Sequence, residues 1–525
     1  MNSVANNENA AVHFVDRHVA AGRGSKIAFQ EADGARRALT YGRLAEETSR
    51  FAGALERHGV RREERIAMIV LDQVEFPVVF WGAMKAGAIP VPLNTLLAAP
   101  VYEDILNDSR ASILVVSEAL WPTVKPAVEG NRYLRAILVI GDAPEGTESY
   151  QQFCAGAEPI EAVEACGDEL AFWLYSSGST GAPKGVRHVH SSLAATANTF
   201  GSDVIKLTED DVVHSAAKMF FAYGLGNAMS FPMHVGATTV IYSGRPTPDA
   251  VSAILAEHKP TVFCGVPTLY AAMVNAQEQA GTAPDHALRL CTSAGEALPR
   301  EIGERWEKIW GAPIVDGVGS TEMLHIFLSN RPGDIVYGTS GVPVPGYEVR
   351  LVDEHDEEVG EGGVGELLVR GPSSADGYWN RRHKSQSTFA GHWTRTGDKY
   401  ERTADGRYVY CGRADDMFKV SGIWVSPFEV EQALIDHPAV LEAAVVARRD
   451  AEGLEKPAAY IVLKGEKPEG LEAALKEQVK SAVGMWKYPR WIEVVDELPK
   501  TATGKIQRFK LRGLAPAPAA EEVPA

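Results

Sequence analysis

The chain has 525 residues, of which 45% are hydrophobic and 23% are charged, and its formal net charge is −17. This length exceeds what one hydrophobic core usually supports, so we expect a globular protein of at least two domains. The negative charge argues against nucleic acid and anionic membranes as partners, because both attract basic surfaces.

The cysteines and the N-terminus bear on where the protein works. The five cysteines are scattered and have no CxxC spacing: Cys154, Cys166, Cys264, Cys291 and Cys411. This usage is typical of a reducing compartment and argues against a metal site built from them. No apolar run reaches the roughly 18 residues of a membrane helix. The N-terminus also lacks the basic and apolar regions of a signal peptide. We therefore expect a cytoplasmic protein that does not bind a membrane.

Strand and helix patterns alternate along the first part of the chain. Thr40 is the predicted N-cap of a helix that carries Leu44, Phe51 and Leu55 at helical spacing. The continuous apolar run 65–71 predicts a strand that is buried on both faces. Further strands are predicted at 89–93, 111–116, 136–140, 210–215, 238–242 and 260–268. This alternation predicts parallel sheets covered by helices.

The pattern changes after residue 340. Short strands at 347–352 and 366–369, broken by Gly, Pro and Asp, predict a small antiparallel barrel or sheet. Beyond a boundary near Gly412–Asp416, two helices and three strands predict a small α+β domain. The fold class is therefore α/β. An N-terminal domain (1–414) has parallel sheets and a β-barrel-like part, a mobile C-terminal domain covers 415–514, and 515–525 form a disordered tail.

A loop of small and polar residues follows the predicted strand 171–174. Residues 176–185, Ser-Ser-Gly-Ser-Thr-Gly-Ala-Pro-Lys-Gly, contain four hydroxyls, three glycines and one lysine. Backbone N–H groups and hydroxyls can cradle phosphate oxygens, and Lys184 adds a positive charge. A Walker A loop is excluded, because Pro183 precedes Lys184 and Gly185 follows it. The alternative is a flexible linker, but linkers rarely place Pro-Lys-Gly after a strand.

This loop resembles the phosphate-binding signature of the adenylate-forming superfamily, which includes acyl- and aryl-CoA synthetases, peptide-synthetase adenylation domains and firefly luciferase. Further similarities, given below, extend over nearly the whole chain. The resemblance implies that the loop binds the phosphates of ATP. The implied ligands are Ser176, Ser177, Gly178, Ser179, Thr180, Gly181 and Lys184.

Two further segments are similar to the nucleotide site of the superfamily. The first, Ser293-Ala294-Gly295-Glu296, follows an apolar strand, where open α/β sheets bind ligands. The resemblance places it at the adenine and acyl pockets, and an ordinary turn is the alternative. The second segment is Asp316-Gly317-Val318-Gly319-Ser320-Thr321-Glu322.

The resemblance assigns Glu322, with Thr180, to Mg²⁺ and assigns Thr321 to the α-phosphate. Oxygen ligands of this kind suit Mg²⁺. Val318 departs from the family pattern, since an aromatic residue that stacks on adenine is usual there. The alternative is a helix start in which Ser320 or Thr321 is the N-cap.

The last part of the chain carries the remaining similarities. In Thr396-Gly397-Asp398 the resemblance assigns Asp398 to the ribose, although Thr-Gly-Asp alone is only a turn signal. Arg413 matches a second ribose or phosphate ligand, and Asp415 matches the hinge of the small domain. Residues expected to contact CoA are Lys419, Ser421 and Gly422. Lys505 matches the catalytic lysine, which neutralises charge between the carboxylate and the α-phosphate.

The predicted acyl pocket is apolar and aromatic. Its residues are Phe221, Ala222, Tyr223, Gly319, His325 and Ile326. Ala222 stands where many relatives carry a histidine, and a small residue between aromatic ones leaves room for a flat ring. His325 would share a helical face with Glu322 if a helix began there. It could then meet the carboxylate or a ring substituent, and the alternative is a core histidine.

Within the superfamily, residues 218–227, 319–327 and 419–429 are most similar to those of benzoate–CoA ligases. The resemblance implies a Mg²⁺-dependent aryl-CoA ligase of aromatic degradation. ATP and a benzoate would give aroyl-AMP and pyrophosphate, and CoA would then take the aroyl group and release AMP. One alternative is an enzyme that adenylates another acid or loads a carrier protein in trans. The other is a nucleotide-binding regulator, which would be expected to have lost Lys505 or Glu322. A homodimer is one option for the oligomeric state.

Overall fold

The computed structural model describes residues 7–177, 183–281, 285–414, 416–420, 423–450, 454–485, 487–500 and 506–514. The chain divides into two compact units. The first comprises Met1–Arg350, Leu368–Thr396 and Asp405–Val409. The second comprises Leu351–Leu367, Gly397–Ala404 and Tyr410–Ala525. The predicted boundary after residue 414 lies close to the start of the last segment, and the domain limits themselves stay a prediction.

A nine-stranded sheet is the largest element of the first unit. Its inner strands are parallel, and antiparallel strands flank them at both ends. In spatial order the strands are Val342–Pro343, Ile326–Ser329, Ile314–Gly319, Leu290–Ser293, Val262–Gly265, Val212–Ser215, Thr238–Ile241, Ile27–Glu31 and Ala38–Thr40. The parallel ladder aligns the carboxyl ends of six neighbouring strands at one edge, where ligand sites of open α/β sheets lie.

A second sheet of the first unit is entirely parallel. Its strands are, in spatial order, Ile89–Pro92, Arg65–Ile69, Ile113–Ser117, Ala136–Ile140 and Glu148–Ser149. The run 65–71 is apolar because this strand is covered on both faces, and Ile66–Ile69 are fully buried. The helix Glu75–Lys85 is buried along its whole length.

A three-stranded antiparallel sheet carries the predicted phosphate loop. Leu170–Ser177 pairs with Pro183–Val189, which pairs in turn with Gly377–Tyr378. A further sheet contains Glu348–Val352, Val364–Arg370, Trp393–Arg402 and Phe389–Ala390, with Tyr408–Arg413 beside the third of these. The parallel sheets and this smaller sheet confirm the predicted fold class.

Helices cover the sheets of the first unit. Those with α geometry are Arg17–Ala20, Tyr41–Arg57, Glu75–Lys85, Ala99–Ser109, Trp121–Val128, Tyr150–Cys154, His190–Thr196, Ala222–Leu225, Phe231–Val235, Pro248–His258, Pro267–Ala280, Arg300–Trp310 and Arg382–Thr388. Wider π-helical turns occupy Val12–Asp16, Ala197–Val204 and Gly226–Ser230, and a 3₁₀ turn occupies Glu118–Leu120. The Thr40 hydroxyl accepts a hydrogen bond from the Arg43 N–H, which confirms the predicted cap.

The second unit has its own sheet and core. Val440–Arg449 runs antiparallel to Glu455–Leu463, which runs parallel to Trp491–Val494. Alternate residues of the first strand face opposite sides. One side packs against the helices Pro427–Ile435 and Leu471–Val483, and the other packs against Leu498 and Leu511. The short pair Phe418–Val420 and Ile423–Val425 and the helix Arg508–Leu514 complete the α+β domain that the sequence predicts.

Two histidines, His13 and His234, are joined to each other and to Arg17 by hydrogen bonds. Arg17 can only donate, so His13 Nδ1 accepts from it at 3.4 Å. His13 Nε2–H then donates to His234 Nδ1 at 3.0 Å. Burial lowers the pKa of His13 to about 3, and it lowers the pKa values of His18 and His234 to about 4. The folded state therefore holds these rings neutral.

We expect the free energy of unfolding to fall as the pH drops from about 6.5, the ordinary histidine pKa, towards 4. In that window the unfolded histidines bind protons and the folded ones do not. Each histidine therefore takes up about one proton when the protein unfolds. The measurement is chemical denaturation from pH 7.5 to 4.5. The double variant His13→Gln, His234→Gln should show a shallower slope, and an unchanged slope would contradict the assignment.

None of the helices in the described ranges is long and apolar enough to cross a membrane.

Candidate active site

The predicted phosphate loop joins two antiparallel strands, Leu170–Ser177 and Pro183–Val189, which we call the phosphate-loop hairpin. Ser176 and Lys184 are register partners across it. The Ser176 hydroxyl oxygen is buried and has no hydrogen-bond partner among the described residues. A buried polar atom of this kind is costly unless a ligand or water satisfies it. The predicted ligands Gly178, Ser179, Thr180 and Gly181 lie outside the described residues, as does the side chain of Ser177.

Lys184, Glu322 and Tyr378 form a compact cluster beside this hairpin. The Tyr378 hydroxyl donates to Glu322 Oε1 at 2.7 Å. Lys184 Nζ lies 4.0 Å from the same oxygen and 4.6 Å from the centre of the Tyr378 ring. The structure thus brings together two of the predicted nucleotide ligands, and it adds an aromatic residue that the sequence analysis did not select.

The segment 320–325 is a turn, so the helix considered at Ser320 or Thr321 is wrong. The Ser320 hydroxyl accepts from the Met323 N–H at 3.2 Å, and Leu324 adopts a left-handed conformation with φ of 64°. The chain then returns as Ile326–Ser329, antiparallel to Ile314–Gly319. Strand pairing satisfies the backbone groups that a helix would have satisfied internally. His325 therefore shares no helical face with Glu322.

Gly319 cannot be replaced without moving this turn. A Cβ at Gly319 would lie 2.5 Å from the carbonyl oxygen of His325. From a neighbouring strand, His188 Nε2–H donates to the Thr321 carbonyl oxygen at 2.8 Å. Burial lowers the pKa of His188 to about 4, so the ring stays neutral. These contacts fix the backbone on which Thr321 and Glu322 are carried.

Polar groups gather at the carboxyl ends of two neighbouring parallel strands. Ser293 and Asp316 are register partners there, and the predicted Ala294, Gly295 and Glu296 follow directly. Burial raises the pKa of Asp316 to about 8, so its carboxyl is protonated at neutral pH. Asp316 Oδ1 has no hydrogen-bond partner among the described residues. A buried neutral carboxyl offers one donor and one acceptor to a ligand.

Gly317 and Val318 continue this strand. A Cβ at Gly317 would lie 2.6 Å from the Leu328 carbonyl oxygen, so a larger residue does not fit. Val318 pairs with Leu328 and is partly exposed. It offers an apolar surface without an aromatic face.

The predicted acyl-pocket residues lie close together. His325 Nε2–H donates to the Tyr223 carbonyl oxygen at 3.3 Å, and the two ring centres are 5.6 Å apart. The Tyr223 hydroxyl is hydrogen-bonded to the Thr292 hydroxyl at 2.7 Å. Ile326 follows His325 and is buried, whereas Phe221 and Ala222 are partly exposed at the start of the helix Ala222–Leu225.

His325 is a buried, neutral histidine. Its ring centre lies 5.2 Å from Phe200 and 4.5 Å from Phe231, and burial lowers its pKa to about 3. A Cβ at Gly226 would lie 2.4 Å from the imidazole ring, so only glycine fits there. These contacts agree with the core-histidine alternative, and they also place the ring against Tyr223, another residue of the predicted pocket.

The remaining predicted residues belong to the second unit. Arg413 donates to Asp398 Oδ1 at 2.9 Å, so the two predicted ribose ligands form an ion pair. Lys419 is described only by its backbone, in the strand Phe418–Val420. The predictions for Asp415, Ser421, Gly422 and Lys505 fall outside the described residues.

Tyr378 and His188 are the residues that sequence reasoning missed. Tyr378 lies 56 residues from Glu322, and a Gly-Tyr pair alone carries no signal for a site. His188 follows Lys184 by four residues in the strand Pro183–Val189, which also contains Arg187, so the sequence alone does not single it out. In both cases the partner lies in the turn 320–325, far away in the sequence, and only the tertiary fold brings it close.

The AMP-binding enzyme family matches residues 16–379, and the AMP-binding enzyme C-terminal domain matches residues 429–505. The chain is 54% identical over 509 residues to a 4-hydroxybenzoate–CoA/benzoate–CoA ligase of Rhodopseudomonas palustris, covering 96% of this chain and 94% of that protein. It is 52% identical over 509 residues to a benzoate–CoA ligase of Thauera aromatica, covering 96% and 95%.

A solved structure is also similar to this chain. The fold superposes with a TM-score of 0.88 on a benzoate CoA ligase from Burkholderia xenovorans LB400, at 48% identity, covering 96% of this chain and 99% of that one.

Proposed function

The chain belongs to the AMP-binding enzyme family, and from this membership we propose that it is an AMP-forming benzoate–CoA ligase. It converts benzoate or a hydroxybenzoate, ATP and CoA into the aroyl thioester, AMP and pyrophosphate. One observation carries this conclusion: more than half of the residues are identical to those of such ligases along almost the whole chain. The family supplies ATP and CoA as co-substrates.

The described residues support a nucleotide site in the first unit. Ser176 Oγ and Asp316 Oδ1 are buried polar atoms that lack a protein partner in the described ranges. We propose that the loop 176–184 binds the phosphates and that residues 294–296 and 316–320 hold the adenosine. Thr321 then binds the α-phosphate, Asp398 binds the ribose, and Arg413 binds the ribose or a phosphate. Val318 then packs on adenine without stacking, which would weaken the hold on the nucleotide.

We further propose that Glu322, with Thr180, holds Mg²⁺. The described residues contain no group of three or more His, Cys, Asp or Glu side chains that could hold a metal ion. The phosphates of ATP would therefore complete its ligands, as is usual for Mg²⁺. When bound, the ion neutralises charge on the phosphates. The Glu322 carboxylate, held by Tyr378, offers an oxygen ligand that suits it.

In the first half-reaction the carboxylate of the acid attacks the α-phosphorus of ATP, a bond to the aroyl oxygen forms, and pyrophosphate leaves. A carboxylate is a poor nucleophile towards a polyanion, so positioning and positive charge dominate the catalysis. We propose that Lys184 holds the phosphates and that Lys505 neutralises charge between the carboxylate and the α-phosphate. Phe221, Ala222, Tyr223, Gly319, His325 and Ile326 enclose the ring.

In the second half-reaction the CoA thiol attacks the carbonyl carbon of the aroyl adenylate and AMP leaves. We propose that the C-terminal domain turns about Asp415, which removes Lys505 and brings Lys419, Ser421 and Gly422 to the pantetheine arm. One site would then serve two reactions by a change of conformation. The domain limits, the cytoplasmic location and the homodimer stay predictions.

The experiment that tests the substrate is an AMP-release assay over benzoates, cinnamates and fatty acids, with free CoA. We expect benzoate or a small ring-substituted benzoate to have the highest kcat/KM. A medium-chain fatty acid with a higher value would contradict the aryl pocket. An enzyme that loads a carrier protein would make the adenylate but would form no thioester with free CoA.

Ala222→Leu should raise KM for benzoate. The added side chain would fill space between Phe221 and Tyr223 that we assign to the ring. Overpacking costs about 1–3 kcal/mol, or roughly 5- to 150-fold in KM. Initial rates at varied benzoate and varied ATP check this, with Ala222→Gly as the control that adds no volume. An unchanged benzoate KM in Ala222→Leu would place the ring elsewhere.

A further inference from the structure

Tyr378 lies between two charged groups of the candidate active site. It is 4% exposed, its hydroxyl donates to Glu322 Oε1 at 2.7 Å, and Lys184 Nζ is 4.6 Å from its ring centre. A hydrogen bond to a carboxylate and a cation over an aromatic face are both favourable. One side chain thus contacts the ammonium and the carboxylate at the same time.

The backbone fixes this side chain with respect to both groups. Tyr378 pairs with Val186 in the strand that carries Lys184, and the Trp379 N–H donates to the Gly185 carbonyl oxygen at 2.8 Å. Three residues before Tyr378, the Ala375 N–H donates to the Glu322 carbonyl oxygen at 2.8 Å. The short segment 375–379 therefore ties the phosphate-loop hairpin to the turn that carries Glu322.

The packing behind the ring leaves it little freedom. The Tyr378 ring centre lies 5.4 Å from that of Phe389, and Val186 and Ala375 pack in the same apolar cluster. The Tyr378 N–H donates to the Ser385 hydroxyl at 3.0 Å. A phenol held in this way is preorganised, so its hydroxyl points at Glu322 without further loss of side-chain freedom.

The distances explain what the phenol does. Lys184 Nζ and Glu322 Oε1 are 4.0 Å apart, and both side chains are largely buried, at 16% and 17% exposure. A charge-assisted N–H···O contact is normally 2.7–2.9 Å. The phenol hydroxyl orients the carboxylate and the ring attracts the ammonium, so the two charges stand near each other without closing into a tight pair.

We propose that Tyr378 is a positioning residue that keeps Lys184 and Glu322 apart, so that the ammonium can meet phosphate oxygens and the carboxylate can meet the metal ion that accompanies them. This rests on the proposed function, which gives those two side chains their roles. A closed Lys184–Glu322 pair would have to be broken, at a cost in affinity, each time that the metal–nucleotide complex binds.

The test is calorimetric titration of the full chain with ATP, without acid or CoA, once in MgCl₂ and once in EDTA. In Tyr378→Phe the ring stays and the hydroxyl is lost. Residues that orient a metal ligand typically contribute 10- to 100-fold in metal affinity. We therefore expect the gain in ATP affinity that Mg²⁺ produces to fall about 10-fold or more, with the affinity in EDTA unchanged.

Tyr378→Leu removes the aromatic face as well. Lys184 should then close onto Glu322, and the ATP affinity in EDTA should also fall, by roughly 2- to 30-fold. The matched control is Tyr337→Phe, which removes another tyrosine-to-glutamate hydrogen bond of the first unit, from Tyr337 to Glu307 at 2.9 Å. This variant should bind ATP like the unmodified protein in both buffers.

Two outcomes overturn the inference. One is a Tyr378→Phe variant that keeps the full effect of Mg²⁺. The other is an equal loss in MgCl₂ and in EDTA with a lowered Tm, which would make Tyr378 a structural residue. An unmodified protein that adenylates no aromatic acid would overturn the proposed function itself, whereas an active protein with an unaffected Tyr378→Phe variant would remove only this inference.

Discussion

Lys505→Ala should slow formation of the aroyl adenylate about 10²–10³-fold, which is the usual effect of removing one preorganised donor at developing charge. The loss should appear in kcat, because the interaction grows as charge moves onto the leaving pyrophosphate. ATP affinity should change less, since we assign the phosphates to Lys184 and its loop. Preformed aroyl adenylate and CoA should still give the thioester at close to the normal rate.

The residues that flank Lys505 are anchored independently of its side chain, so Lys505→Ala should affect the reaction and not the fold. The residues on either side of 501–505 are held: Lys500 and Ile506 form a β-bridge, and the Gln507 N–H donates to the Pro499 carbonyl oxygen at 2.7 Å. Arg508, the next residue, is bound to the Glu431 carboxylate at 2.7 and 3.0 Å. Removing the side chain of Lys505 leaves these anchors intact, so the fold should survive.

Two controls sharpen this result. Lys505→Arg keeps the charge but should restore adenylation only in part, because a planar guanidinium cannot replace a compact ammonium in the same place. Synthetic aroyl adenylate, supplied to Lys505→Ala, isolates the second step from the ATP-dependent one. If both steps fall together, Lys505 is a structural residue and the mechanism with two conformations loses its main support.

Asp415→Pro should separate the half-reactions in the opposite sense. Proline fixes φ and should block rotation about this residue. Adenylation should persist, while transfer to CoA should fall about 10²-fold or more, since a small misplacement of reacting groups has that effect. The measurements are acid-dependent pyrophosphate release and thioester formation from synthetic aroyl adenylate.

Asp415→Ala is the matched control, because it removes the carboxylate without restricting φ. It should leave both half-reactions near their normal rates. If Asp415→Ala loses thioester formation as Asp415→Pro does, the carboxylate itself is needed and the hinge explanation is wrong. An equal loss of both steps in Asp415→Pro, with an unchanged circular dichroism spectrum, would also place the hinge elsewhere.

The sheets could be predicted because their signals are local. The run 65–71 is apolar throughout since both of its faces are covered, and the structure has a strand at Arg65–Ile69. Thr40 could be recognised as a cap from the residue type and the helical spacing that follows it. In each case the residues within one element carry the whole pattern.

The turn after Ser320 could not be predicted from its own residues. The segment 320–325 suits a capped helix start, but Leu324 takes a positive φ and the chain folds back to pair with Ile314–Gly319. Tyr378 was missed for a related reason, since its partners Lys184 and Glu322 come from distant parts of the sequence. Contacts made by strand pairing at long range leave no periodic signal.

The most direct measurement is the stoichiometry of a complete reaction with benzoate, ATP, MgCl₂ and free CoA, followed by liquid chromatography and mass spectrometry. We predict one benzoyl-CoA, one AMP and one pyrophosphate for each benzoate consumed. Without ATP no product should form, and without CoA only bound benzoyl adenylate and an equal amount of pyrophosphate should form. Release of benzoyl adenylate without thioester in the presence of CoA, or formation of ADP and phosphate, would contradict the proposal of an AMP-forming aryl-CoA ligase.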